Sequence, residues 1–331
     1  MKAVVFERFG EPAEVLEVRD VPVPTPDPGQ VRVRMIASPL NPSDLLFVRG
    51  QYGRLPRLPA TPGFEGVGVV EAIGSGLLPW LRRGRRVAVL NGRGGNWQEF
   101  VVLSAKQVVP VPKDVPDEQA AMFFVNPASA LVMIRHVLQV RPGAWLLQTA
   151  AGSALGRMII RLGRQLRFRT INVVRRHEQV GELQQEGADA VICTADEPIE
   201  ERVQALTQGE GVPYAVDAVG GATGSALIRS LGAGGRMLVY GTLAGEPISF
   251  DPRTLLVGQK SVEGFWLSEW AREQSALSML RLFRQIGQLL RSGVLASRVA
   301  ATYPLEEVRA AVQRAGAPGN SGKVLLQMSG S

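Results

Sequence analysis

A turn of small residues between Ala150 and Gly156 has the composition needed to bind a pyrophosphate. It reads Ala-Ala-Gly-Ser-Ala-Leu-Gly and lies between an apolar, strand-like run and a helical pattern. Aligning Gly156 with the third glycine of the dinucleotide motif G-x-G-x-x-G places the small residues Ala151 and Ser153 at the first two glycines. In that motif the backbone approaches the pyrophosphate, which lies at the N-terminus of the following helix. The turn therefore predicts a dinucleotide site.

Two arginines, Arg175 and Arg176, end the second strand of the same pattern. Dinucleotide-binding folds normally carry an acidic residue there, which binds the 2′-hydroxyl of the ribose. No carboxylate is present at this strand end, and guanidinium groups suit a 2′-phosphate. We therefore predict NADPH as the cofactor, preferred over NADH. The alternative is two solvated arginines at a strand end.

Aromatic residues are concentrated in Gly264-Phe265-Trp266-Leu267-Ser268-Glu269-Trp270. Aromatic side chains bury large areas with few rotatable bonds, so at the end of a nucleotide-binding pattern they could wall a cleft for cofactor and substrate. A hinge packed into a core explains the same residues equally well. A further tyrosine, Tyr52, lies between glycines, where the residues alone favour a surface loop.

The elements that would position these residues fall into two patterns. The first 118 residues are rich in β-branched and apolar runs separated by Gly and Pro. From about residue 117, strands and helices alternate, with strands at 144–149 and 170–174 around a helix at 155–166. This alternation predicts an α/β fold with a doubly wound parallel sheet. Asn126-Pro127 is expected to break the chain before a helix over 128–138.

Composition excludes several classes of protein. The chain has 331 residues, of which 45% are hydrophobic, and no apolar run long enough to span a membrane. We therefore expect a cytoplasmic protein with no membrane partner. The net charge of +7 comes from scattered basic residues without a nucleic-acid motif, so nucleic acid is not an expected partner. One cysteine, Cys193, and two histidines leave few ligands for a metal, so no metal is expected.

Four further segments carry a resemblance to a known family: Asn41-Pro42-Ser43-Asp44, Gly63-Phe64-Glu65-Gly66, Asp217-Ala218-Val219-Gly220-Gly221 and Gly322-Lys323-Val324. With the dinucleotide turn, they make the chain resemble the zinc-free medium-chain dehydrogenases/reductases, on the branch of quinone oxidoreductases and enoyl thioester reductases. Zinc-dependent relatives place a cysteine and a histidine where this chain has Asn41 and Phe64.

The resemblance implies a Rossmann domain, a GroES-like catalytic domain and a homodimer. The expected boundaries are 1–118 for the first part of the catalytic domain, 119–268 for the NADPH-binding domain, and 269–331 for the return to the catalytic domain.

Within that branch, Asn41 to Asp44 followed by Arg49-Gly50-Gln51-Tyr52-Gly53 resembles the mitochondrial-type 2-enoyl thioester reductases, in which a tyrosine at this spacing donates a proton. The resemblance thus implies that Tyr52 is catalytic and that Asn41 and Trp266 line the substrate pocket. It places the NADPH contacts on Asn126, Gly152, Ser153, Ala154, Leu155, Arg175, Arg176, His177, Tyr240, Gly241, Thr242, Leu243, Phe265, Trp266, Leu267, Ser268 and Lys323. Reductases of this type have Asn and Gly where this chain has Gly152 and Ala154.

The activity implied by the resemblance is NADPH-dependent reduction of an activated C=C bond. Hydride would add to the β-carbon of a trans-2-enoyl thioester, carried by coenzyme A or a carrier protein, and Tyr52 would protonate the α-carbon. One alternative is an NADPH:quinone oxidoreductase of the same fold. Another, motivated by the basic charge, is a weakly catalytic protein that binds NADPH or RNA.

Overall fold

The computed structural model describes residues 1–317 and 322–328 and divides the chain into two compact units. Unit 1 contains Met1–Pro127 and Leu280–Ser331, and unit 2 contains Ala128–Met279. Among the helices of the described ranges, none has the length and apolar character needed to cross a membrane.

The strands, in chain order, are β1 (Lys2–Val5), β2 (Glu17–Asp20), β3 (Gln30–Pro39), β4 (Glu65–Ile73), β5 (Arg86–Leu90), β6 (Phe100–Ser104), β7 (Val108–Pro110), β8 (Trp145–Gln148), β9 (Arg169–Val174), β10 (Ala190–Cys193), β11 (Val212–Asp217), β12 (Leu231–Val239), β13 (Ser261–Gly264), β14 (Val299–Pro304) and β15 (Lys323–Gln327).

The α-helices are α1 (Pro12–Val15), α2 (Pro42–Arg49), α3 (Leu77–Arg82), α4 (Asp117–Ala121), α5 (Val125–Val132), α6 (Ala154–Leu166), α7 (Glu178–Gln185), α8 (Ile199–Leu206), α9 (Gly221–Arg229), α10 (Arg253–Leu256), α11 (Leu267–Arg272), α12 (Ala276–Arg291) and α13 (Val308–Gly316). Short 3₁₀ turns occur at Ala105–Gln107 and Leu305–Glu307, and a π-helical segment, Met133–Val137, continues α5.

Unit 1 is built on a mainly antiparallel sheet in the order β14-β15-β3-β4-β5-β7, with β6 also paired to β3. The sequence of the long strand β3 suits an antiparallel sheet that has one face on the core. Val31, Val33 and Met35 alternate with polar residues and are fully buried. This confirms the predicted β-rich, GroES-like character of the first part of the chain.

Unit 2 contains a six-stranded, fully parallel sheet in the order β10-β9-β8-β11-β12-β13. This is the order of a doubly wound Rossmann fold, and the direction of strand progression reverses between β8 and β11. The predicted α/β fold is confirmed. Because all six strands point the same way, the segments that follow their carboxyl ends lie along one edge of the sheet.

The structure corrects one local prediction. The helix expected to start after Asn126-Pro127 instead begins at Val125, so both residues lie in the first turn of α5. Proline is tolerated there because the N–H groups of a first turn have no partner within the helix.

Among the elements that the sequence did not predict are β13 and α11. The helix begins inside the aromatic segment, with Trp266 as its N-cap residue.

Candidate active site

The predicted pyrophosphate turn connects β8 to α6. Ser153 is the N-cap residue of α6, and its hydroxyl accepts a hydrogen bond from the Gly156 N–H at 3.1 Å. A Cβ atom at Gly156 would lie 2.5 Å from the carbonyl oxygen of Ala151, closer than real Cβ atoms approach. Gly156 therefore lets the helix pack against the turn, which is the role of the third glycine in a dinucleotide motif. The N-terminus of α6 is thereby fixed at the carboxyl end of β8, where it can bind an anion.

Arg175, Arg176 and His177 follow directly after β9, with all three side chains exposed. No acidic side chain forms an ion pair with either guanidinium in residues 1–317 and 322–328. His177 differs, because its Nδ1 lies 2.8 Å from Oδ2 of Asp196. The two arginines thus present unneutralised positive charge next to the strand end, as a 2′-phosphate site requires.

The third segment, Tyr240 to Leu243, follows β12. The Tyr240 N–H donates to the Asp217 carbonyl at 2.8 Å, and the Leu243 N–H donates to the Ala218 carbonyl at 3.0 Å. The Tyr240 hydroxyl is buried and has no hydrogen-bond partner among the described residues. Burial, with a smaller contribution from the Asp217 carboxylate, raises the pKa of this phenol, so it stays protonated.

A buried network fixes the edge of the sheet where the strand order reverses. The Thr149 hydroxyl, after β8, donates to Oδ1 of Asp217 at 2.6 Å, and the Asp217 carboxylate also accepts the N–H groups of Val219 and Gly220 at 2.9 Å each. Charge-assisted hydrogen bonds of this kind hold the ends of β8 and β11 in a fixed geometry. Ligands of doubly wound folds bind at this switch point.

The aromatic segment follows β13, the last strand of the sheet. The Phe265 N–H donates to the Val239 carbonyl at 2.8 Å, and Phe265 to Ser268 are all half-buried. Trp270 packs within unit 2 on the ring of His136, with centroids 5.6 Å apart. The second tryptophan of the segment is therefore used in packing, whereas Phe265 and Trp266 lie at the strand end. The structure thus brings four predicted segments, 152–155, 175–177, 240–243 and 265–268, to one edge of the parallel sheet.

Unit 1 holds a second group of predicted residues in a buried polar cluster, which comprises Asn41, Asp44, Glu65 and Lys323. The Lys323 ammonium donates to Oδ1 of Asn41, and the Asn41 amide donates to Oε1 of Glu65 at 3.0 Å. The other carboxylate oxygen of Glu65 accepts the N–H groups of Phe124 and Val125 at 3.1 and 2.8 Å. The predicted cofactor residue Asn126 is the next in the chain and is half-buried.

Asp44 completes this polar cluster by joining two backbone segments. Its carboxylate accepts the N–H of Asn41 at 2.7 Å and the N–H of Phe64 at 3.1 Å. Burial raises the pKa of Asp44 to about 7, raises the pKa of Glu65 and lowers the pKa of Lys323. The sequence alone predicts no role for Asp44 and Glu65, although both lie in motifs that carry the resemblance. Asp44, three residues after Asn41, has the spacing of a helix capping box.

Tyr52 lies just after Gly50, the left-handed residue that ends α2. Its half-buried ring packs on Phe64, with centroids 4.9 Å apart and planes inclined by 36°, and it lies edge-on to Phe47 at 6.3 Å. Since Asp44 holds the backbone of Phe64, the tyrosine ring is linked through one aromatic contact to the buried polar cluster.

The cluster does not fit a catalytic zinc ion. An amide and a phenyl ring stand at the two positions that carry ligands in zinc-dependent relatives, and the Lys323 ammonium bonded to Asn41 would repel a dication. NADPH, in contrast, fits unit 2, given the close helix approach at Gly156, the two arginines without acidic partners and the buried tyrosine hydroxyl without a partner.

The fold and these sites define a zinc-free medium-chain dehydrogenase/reductase of the enoyl reductase and quinone oxidoreductase branch, and the chain belongs to this family. Residues 27–113 match the family "Alcohol dehydrogenase GroES-like domain", and residues 154–282 match "Zinc-binding dehydrogenase". The chain is 33% identical to the mitochondrial enoyl-[acyl-carrier-protein] reductase of Mus musculus over 333 residues, covering 99% of this chain and 89% of the mouse protein.

Solved structures agree with this assignment. A protein assigned as an NADPH:quinone reductase from Bacillus thuringiensis is 35% identical, with a TM-score of 0.92 and 98% of each chain covered. Mycobacterial Rv1454c, solved in complex with NADPH, is 27% identical, with a TM-score of 0.89, covering 99% of this chain and 100% of that one. The chain is therefore an oxidoreductase that uses NADPH.

Proposed function

We propose that this NADPH-dependent reductase acts on the C=C bond of trans-2-enoyl thioesters, carried by coenzyme A or by a carrier protein, with Tyr52 as the proton donor. The observation that carries the proposal is the packing of the Tyr52 ring on Phe64 at 4.9 Å, which fixes a phenol in a half-buried position. The similarity to enoyl-[acyl-carrier-protein] reductases supports this proposal, because they share about a third of this sequence over nearly its whole length.

The chemistry needs a hydride and a proton. NADPH, when bound, supplies the hydride for the β-carbon. Tyr52 donates its hydroxyl proton to the α-carbon, where negative charge from the conjugated carbonyl is delocalised. A tyrosine suits this step because its reference pKa of about 10 keeps it protonated at neutral pH. Phe64 and Phe47 hold the ring, so that the donor is oriented before substrate arrives.

The cofactor residues have distinct proposed tasks. The backbone N–H groups at the start of α6 bind the pyrophosphate, and Arg175 and Arg176 bind the 2′-phosphate. Their positions at neighbouring strand ends of one parallel sheet support these roles. Lys323 and Asn41 are bonded to each other inside unit 1, and their roles as cofactor contact and substrate-pocket residue remain proposals.

A second candidate activity is quinone reduction, which the similarity to the Bacillus thuringiensis NADPH:quinone reductase favours. Reducing a quinone places the transferred electrons on oxygen atoms, which water can protonate. That reaction therefore has no need of a positioned phenol such as Tyr52.

Initial rates with crotonyl-CoA, a longer enoyl-CoA and a benzoquinone, each with NADPH and with NADH, test the proposal. We expect the highest kcat/KM with an enoyl-CoA and NADPH. A benzoquinone rate far above that of either thioester would replace the proposed activity with quinone reduction.

A further inference from the structure

The strand ends of unit 2 bring together three side chains that can ligate a metal: His177, Cys193 and Asp196. One ligand atom from each lies within 4.8 Å of the other two. His177 comes from the start of α7, whereas Cys193 is the last residue of β10. The sequence alone placed no metal here, because the single cysteine and the histidine are separated by fifteen residues and meet only through strand pairing.

The local backbone explains the cluster. Cys193 pairs with Val174 across the β9–β10 ladder, which places it beside the segment that leads to His177. After Cys193 the chain turns tightly, and the N–H groups of Asp196 and Glu197 both donate to the Cys193 carbonyl, at 3.0 and 3.1 Å. This turn folds the Asp196 side chain back toward the thiol.

We propose that His177, Cys193 and Asp196 form a site for one thiophilic divalent cation, such as Zn²⁺ or Cd²⁺, next to the predicted 2′-phosphate segment. Zinc bonds to nitrogen, sulfur and oxygen are about 2.0–2.3 Å long, so tetrahedral ligand atoms lie roughly 3.3–3.7 Å apart. In the structure the ligand atoms lie up to 4.8 Å apart, and Nδ1 of His177 lies 2.8 Å from Oδ2 of Asp196. Small side-chain rotations bring these distances into the range that zinc requires. Three protein ligands leave the fourth position to water.

Charge and access are compatible with this site. On binding, the Cys193 S–H proton is released to solvent, so the thiolate and the Asp196 carboxylate together neutralise the dication. Cys193 is only 3% exposed, but the His177 side chain is 81% exposed, so the cation enters from the histidine side. Arg175 and Arg176 oppose the cation, although both are exposed and screened by solvent.

The test is a titration of the full-length, chelator-treated protein with CdCl₂. Binding is monitored by the absorbance of the sulfur-to-cadmium charge-transfer band. Cys193 is the only cysteine, so any such band reports on this site alone. The wild type should show a saturable band at one equivalent, and Cys193→Ser should show none. His177→Asn and Asp196→Asn should weaken binding by at least about tenfold, since loss of even a supporting partner costs ten- to a hundredfold.

The matched controls are His136→Asn, which removes the other histidine, and the exposed Asp251→Asn in the same unit; both should bind cadmium as the wild type does. No charge-transfer band in the wild type would overturn the proposal. So would a band of unchanged affinity in His177→Asn and Asp196→Asn, because the thiol would then be acting alone.

Discussion

At the residue scale, we predict that cofactor choice depends on Arg175 and Arg176, which follow the strand end where NAD-specific folds carry an acid. The structure leaves both guanidiniums exposed beside the end of β9 and gives neither an acidic partner in its described ranges. Their charge is therefore available to a phosphate, in contrast to Arg157, whose guanidinium is paired with Glu182 and Glu186.

Replacing Arg175 by alanine should weaken NADPH use and spare NADH, because only NADPH carries the 2′-phosphate. A hydrogen bond to a charged group contributes about 1.5–3 kcal/mol, so the KM for NADPH should rise roughly ten- to a hundredfold. Steady-state kinetics with both cofactors measure this, and Arg202→Ala serves as the exposed-arginine control. Equal use of NADPH and NADH by the wild type would contradict the assignment.

Asp44 should make stability depend on pH. Burial raises its pKa from 3.8 to about 7 in the folded chain, so the folded state binds a proton more tightly than the unfolded state. Its stabilising contribution is therefore full below pH about 4 and is lost as the pH rises toward 7.

Asp44→Asn cannot titrate, so its free energy of unfolding should fall less steeply over that interval than that of the wild type. Urea denaturation at several pH values gives both slopes. The exposed Asp20→Asn should keep the wild-type slope. If Asp44→Asn also keeps it, Asp44 is ionised in the folded protein throughout.

At the element scale, we predict that the dinucleotide site depends on the contact between α6 and the preceding turn. Gly156→Ala places a Cβ 2.5–2.7 Å from three backbone atoms of Ala151, and backbone cannot move aside as a side-chain tip can. Overpacking of this kind costs about 1–3 kcal/mol in unfolding free energy.

Gly181→Ala is the matched control, because it lies in α7 with nothing within 4 Å of the new Cβ. That change should stabilise the protein by about 0.5–1 kcal/mol. Chemical denaturation should therefore show lower stability for Gly156→Ala and higher stability for Gly181→Ala. The affinity for NADPH should fall only in Gly156→Ala. Two variants of equal stability would show that α6 does not pack closely on the turn.

Elements with strong local patterns could be predicted from the sequence, whereas those defined by distant partners could not. The sequence predicts strands over 86–90 and 190–193, and β5 and β10 have these bounds because each is a short, mainly apolar run between turns. Strand β13 is not predicted by the sequence because Ser261–Gly264 has one aliphatic residue, Val262, and pairs with β12 alone among the described strands. The link between Asn41 and Glu65 depends on the pairing of β3 with β4, which residue spacing does not encode.

At the scale of the whole molecule, NADPH use follows from the parallel sheet of unit 2, and freedom from catalytic zinc follows from the polar cluster of unit 1. Four predicted segments that are far apart in the chain share one sheet edge because all six strands are parallel. The homodimer and the choice between coenzyme A and carrier protein are implied by family resemblance and stay predictions.

Catalysis should be independent of metal, because Asn41 and Phe64 occupy the usual ligand positions and the Lys323 ammonium lies against Asn41 in the same cluster. Chelator-treated enzyme should keep its full rate with an enoyl-CoA. Cys193→Ser lacks the sulfur ligand of the proposed cation site, so elemental analysis of this variant should find no stoichiometric zinc. Activity that is lost on chelation and restored by zinc would refute this prediction.

The most direct test of the proposed activity is a comparison of Tyr52→Phe with the wild type on crotonyl-CoA and on a benzoquinone, in the same preparations. Phenylalanine keeps the packing on Phe64 but removes the hydroxyl, so the thioester rate should fall about 10²-fold, a typical loss for one general acid. The benzoquinone rate should stay nearly unchanged, which also controls for misfolding. An unchanged rate of crotonyl-CoA reduction by Tyr52→Phe would contradict the assignment of Tyr52 as the proton donor.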